Sequence, residues 1–110
     1  MIIVSILRGK DNDIAGFEVS GHAGYAKPGQ DIVCAGVSAV TVGTVNSIAA
    51  LTGTVMEAEM KNGFLNAKLP REVRPDQAQQ VQLLLSSMVV MLRSIEGSYG
   101  KYIQIKDVIT

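Results

Sequence analysis

The sequence predicts an α+β two-layer sandwich, with two helices on one face of a largely antiparallel sheet and the element order ββαββαβ. Three patterns lead there. Two pairs of short apolar runs are each joined by turn-forming residues, two longer stretches carry apolar residues at helical spacing, and an alternating run closes the chain.

Residues 2 to 8 (IIVSILR) and 14 to 20 (IAGFEVS) are rich in apolar and β-branched side chains and flank Gly9-Lys10-Asp11-Asn12-Asp13. This is a hairpin signal. From Gly21 to Gln30 the chain holds three glycines and a proline, so a mobile loop is expected there. Asp31 is placed to cap a helix of about twenty residues, with Ile32, Val33, Val37, Val40, Val45, Ile48, Ala49 and Leu51 on a broad apolar face and Gly53 at its end.

Residues 54 to 60 and 64 to 69 nearly alternate around Lys61-Asn62-Gly63, an Asn-Gly turn, and predict a second hairpin. Residues 70 to 75 are read as a connection only. Pro75 and Asp76 open the second helix, on which Ala78, Val81, Leu84, Leu85, Met88, Val89, Leu92 and Ile95 recur at intervals of three and four. Gly97 and Gly100 bracket its end, and residues 101 to 108 alternate as a last strand.

At 110 residues the chain is long enough for one core and too short for two, so residues 1–110 are expected to form a single domain. Ten basic and ten acidic residues cancel, which argues against a direct nucleic-acid partner. The apolar stretch from Val33 to Leu51 is interrupted by Gly36, Ser38, Thr41, Gly43, Thr44, Asn46 and Ser47, which fits a packed helix better than a membrane span. The start of the chain lacks the pattern of a signal peptide, and the single cysteine cannot form an internal disulfide. A cytoplasmic protein without a membrane partner is expected.

The only histidine, His22, and the only cysteine, Cys34, both fall between Gly21 and Ser38. With Asp31 as the cap, Cys34 is the third helical residue, where free backbone N–H groups favour a thiolate and can serve as an oxyanion hole. His22 is placed to act as general base and then as acid toward the leaving amine. Asp31 is available to orient the imidazole instead of capping, and Ser38, one turn beyond Cys34, to bond the thiolate or substrate.

Each feature also has a plainer reading. A lone cysteine is more often a small buried residue, a lone histidine a surface or cap residue, and the loop glycines ordinary turn formers. His22 and Cys34 are too few for a structural zinc site. No metal or cofactor is expected, and Met56, Met60, Met88 and Met91 read as core filling.

Gly21-His22-Ala23, the Gly29 region, and Asp31-Ile32-Val33-Cys34-Ala35 followed by Val37-Ser38 strongly resemble the ribosomal-processing cysteine protease (Prp) family. Gly36 stands where that family commonly has alanine. The resemblance implies a cysteine endopeptidase that removes the N-terminal extension of large-subunit ribosomal protein twenty-seven, supporting ribosome assembly. It implies His22 and Cys34 as the catalytic dyad, with Gly21, Asp31 and Ser38 at motif positions around them, a homodimer, and movement of the glycine-rich loop to admit substrate. The competing expectations are a noncatalytic module that binds a peptide or ribosomal protein and a redox sensor based on Cys34.

Overall fold

A computed structural model describes residues 1–110. Its elements are β1 (Ile2–Arg8), β2 (Ile14–Ser20), α1 (Ile32–Thr52), β3 (Glu57–Lys61), β4 (Phe64–Lys68), α2 (Ala78–Tyr99) and β5 (Ile103–Ile109), the predicted order. The five strands form one sheet in the order β3-β4-β2-β1-β5. Three neighbouring pairs are antiparallel and β1 pairs with β5 in parallel, so the sheet is mixed. The return through α2 brings β5 in alongside β1, which a hairpin cannot do.

Alternation sets the faces. Ile2, Val4 and Ile6 of β1, Phe17 of β2, Leu65 and Ala67 of β4, and Ile103 and Ile105 of β5 are buried together in one core. The registers Ile6↔Phe17↔Ala67 and Val4↔Val19↔Leu65 carry that face across the sheet. Val81, Leu85, Met88 and Leu92 of α2, spaced four, three and four, complete it from the helical layer.

The face of α1 departs from expectation. Its buried residues are Val33, Val37, Thr41, Thr44, Ile48 and Thr52, whereas Ile32 and Leu51 are exposed. Thr41, Thr44 and Thr52 each donate their hydroxyl to the carbonyl four residues back, at 2.8, 2.6 and 2.6 Å. With its hydroxyl satisfied, a threonine presents a methyl group to the core. By length and composition α1 is apolar enough to cross a bilayer, but this face is built into the two-layer core.

Element ends shift for local reasons. The first strand of the second hairpin begins at Glu57, three residues later than predicted: Thr54 N–H turns back to Thr52 Oγ1, and Met56 is buried in the core. Asp76 does not open α2; it pairs with Arg74 at 3.1 Å, and Gln77 stands at the cap without a capping bond, its Oε1 accepting instead from Thr54 Oγ1 at 3.4 Å. Gly97 lies inside α2 rather than at its end, and Gly100 keeps a right-handed conformation. Lys101 and Tyr102 belong to the following turn, closed by Tyr102 N–H to Tyr99 O at 2.8 Å.

Candidate active site

Gly21 to Gln30 forms an irregular connection between β2 and α1, and every residue in it except Ala23 is exposed. Gly21 has φ +88, and a Cβ there would overlap the carbonyl oxygen of Met1. No other residue type fits that position comfortably. Gly21 N–H donates to Gly63 O at 2.9 Å, extending the β2–β4 ladder up to the residue before His22.

Asp31 caps α1 as predicted. Its Oδ1 accepts from Val33 N–H and Cys34 N–H, each at 3.0 Å, and its Oδ2 accepts from Tyr25 N–H at 3.0 Å and Ala26 N–H at 3.3 Å. One carboxylate thus closes the helix end and ties the glycine-rich loop to it. Desolvation works to raise the Asp31 pKa, but the bonds from Cys34, Ala26, Tyr25 and Val33 together hold it below its ordinary value. The carboxylate is a cap and loop anchor, with no bond to His22.

Cys34 is the third residue of α1 and is half-buried. Its Sγ accepts from the Ala23 N–H at 3.4 Å. The loop backbone thus points a hydrogen-bond donor at the sulfur. The first-turn amides of Val33 and Cys34, expected as free oxyanion donors, are instead taken up by Asp31. The amide that faces the sulfur comes from the loop.

His22 and Cys34, twelve positions apart in sequence, both line two adjoining clefts. One, of about 250 Å³, runs between α1 and the β3–β4 hairpin and is walled by apolar groups including Val37, Met60 and Leu65. The other, of about 810 Å³, opens under the loop beside Gly24, Pro28 and Asp31. Ser38 is exposed and borders both clefts, and its hydroxyl makes no bond to the sulfur. Gly21 borders the smaller and Asp31 the larger, so all five residues singled out from the sequence gather here.

Two parts of the site lay outside the sequence reading. The Asn62-Gly63 turn, a hairpin signal on its own, closes over His22: a Cβ on Gly63 would stand 2.8 Å from His22 Nε2. The loop is also held by Tyr25, whose ring meets Tyr99 and Tyr102 edge-on at centroid distances of 5.7 and 5.1 Å. Tyrosines so far apart in sequence carry no local pattern that would have joined them.

A family profile described as cysteine protease Prp matches residues 1–104. The ribosomal processing cysteine protease Prp of Bacillus subtilis is 40% identical over 101 residues, covering 90% of each chain. The protein of that name from Staphylococcus aureus is 35% identical over 106 residues, covering 96% of this chain and 97% of the other. The crystal structure of the essential ribosomal processing protease Prp from S. aureus with a covalently linked product peptide matches with a TM-score of 0.88 at 31% identity, covering 98% of this chain and 100% of that one. The S. aureus protease in complex with a substrate peptide matches with a TM-score of 0.83 at 30% identity. Fold, length and sequence agree over nearly the whole chain, and this protein belongs to the Prp family of cysteine proteases.

Proposed function

We propose that this chain is the endopeptidase that removes the N-terminal extension of large-subunit ribosomal protein twenty-seven, with Cys34 as nucleophile and His22 as its base. The observation that carries the chemistry is the placement of Cys34 Sγ in the first turn of α1, under a loop amide and on clefts it shares with the only imidazole. The relatives named for ribosomal processing, and the S. aureus protease bound to a substrate peptide, support the substrate class.

The steps follow from these groups. His22 takes the thiol proton, and the sulfur attacks the peptide carbonyl to give a tetrahedral oxyanion. As charge moves from sulfur to that oxygen, the Ala23 N–H beside the sulfur can follow it. The imidazolium gives its proton to the leaving amine, a thioester remains on Cys34, and His22 then activates the water that hydrolyses it. Gly21 fixes the backbone before His22, Asp31 holds the helix end and loop, and Ser38 is placed to meet the substrate.

The enzyme acts in the cytoplasm, where its substrate is made, and as a homodimer. Leu83, Val90 and Met91 leave an exposed apolar stripe on α2, which supports self-association. The test of the function is incubation with the extended ribosomal protein, followed by mass analysis of its new N-terminus. A single defined cut by the native chain, absent with Cys34→Ala and Cys34→Ser, is expected. Binding without a cut in all three would leave a peptide-binding module.

A further inference from the structure

Gly63 sits at the tip of the β3–β4 hairpin with φ +74, a conformation that the Asn62-Gly63 turn requires by itself. A second relationship is not a turn requirement. A Cβ built on Gly63 would lie 2.8 Å from His22 Nε2, 3.3 Å from Cε1 and 3.4 Å from Cδ2, so three ring atoms rest against the bare Cα. Carbonyl and Cα of the same residue therefore act on neighbouring positions. Gly63 O holds Gly21 N–H at 2.9 Å, and Gly63 Cα gives the His22 ring its space.

We propose that Gly63 is a positioning residue for His22: it fixes where the imidazole stands relative to Cys34 by offering a seat that any side chain would fill. This rests on His22 being the base in the reaction above. His22 is exposed and makes no side-chain hydrogen bond to orient it, so packing against the turn is what restricts its ring. Proton transfer needs the base held within hydrogen-bond reach of its partner, and a misplacement of about 1 Å is costly.

Gly63→Asn and Gly63→Ala separate the seat from the turn. Asparagine tolerates a left-handed φ far better than alanine, yet both carry the same Cβ. The two variants are expected to differ in melting temperature but to share a loss in kcat of about tenfold or more. The chain has one histidine, so its imidazole gives a single isolated Cε1–H resonance, readable without substrate. That resonance is expected to shift in both variants. In a His22→Ala background, Gly63→Asn is expected to cost much less of the rate than it does with His22 present.

An unmoved imidazole resonance in folded Gly63→Asn overturns the proposal. So does an equal loss of rate with and without His22, which would mark a turn that supports the fold alone. If Cys34→Ala still cleaves peptide, the catalytic reading fails separately, since the resonance reports the seat independently of turnover.

Discussion

The backbone N–H of Ala23 donates to Cys34 Sγ across 3.4 Å, joining the residue after His22 to the only cysteine, in the first turn of α1. Ala23 is buried while its loop neighbours are exposed, so it is the fixed point of a segment otherwise open to solvent. The loop therefore touches the sulfur, and any movement that admits substrate changes what the sulfur is bonded to.

Asp31 is the second anchor of that loop. Because its folded pKa is depressed, its contribution to stability is full above the ordinary value of 3.8 and is lost as pH falls through the lower folded value. Asp31→Asn is expected to melt below the native chain at neutral pH, and the gap is expected to close in acid below the usual carboxylate range. Calorimetry across pH checks this; a gap that persists in acid contradicts the role of the charge.

Tyr25 is the third anchor, through its edge-on contacts with Tyr99 and Tyr102. Tyr25→Ala is expected to cost about 1 kcal/mol and to speed amide exchange in residues 23 to 30. Unchanged exchange there would mean that the aromatic contact does not hold the loop.

The β5 edge of the sheet is bonded by α2 at Ile105. Glu96 Oε2 accepts from Ile105 N–H at 2.7 Å, and Arg93 Nη1 donates to Ile105 O at 3.3 Å while pairing with Glu96 at 3.1 Å. Glu96→Ala leaves that strand N–H without its partner and is expected to cost about 1 to 2 kcal/mol and to raise aggregation on heating. Denaturant unfolding and light scattering read both, and a variant as stable as the parent would sink the prediction.

Gly43 and Gly97 lie inside helices, and a Cβ at either meets nothing within 4 Å. Gly43→Ala and Gly97→Ala are each expected to stabilise the fold by about 0.5 to 1 kcal/mol with cleavage unchanged, measurable as a raised melting temperature. A Cβ at Gly36 would approach only Ile95 Cδ1, at 3.7 Å, so an alanine has room there.

Much of this was legible in the chain itself. The apolar, β-branched runs at residues 2–8 and 14–20, the Asn62-Gly63 turn and the four-three-four spacing of Val81, Leu85, Met88 and Leu92 each encode an element locally. Asp31 was readable as a cap because capping needs only a short side chain before an apolar helix. The buried face of α1 was not, since hydropathy counts Thr41, Thr44 and Thr52 as polar when their hydroxyls bond to their own helix. The parallel β1–β5 pair, the seat of His22 on Gly63 and the Tyr25 contacts were also hidden. They join residues far apart in sequence, and only the folded chain brings them together.

The central claim is that Cys34 attacks the peptide bond, and a thioester on that residue is its most direct trace. The protein would be mixed with a peptide spanning the extension junction, quenched in acid within the first turnover, and digested for mass analysis. The account predicts the mass of the N-terminal product on the Cys34 peptide, removable by hydroxylamine and absent with Cys34→Ala. Cleavage at an equal rate by Cys34→Ala, with no adduct on the native chain, would contradict it.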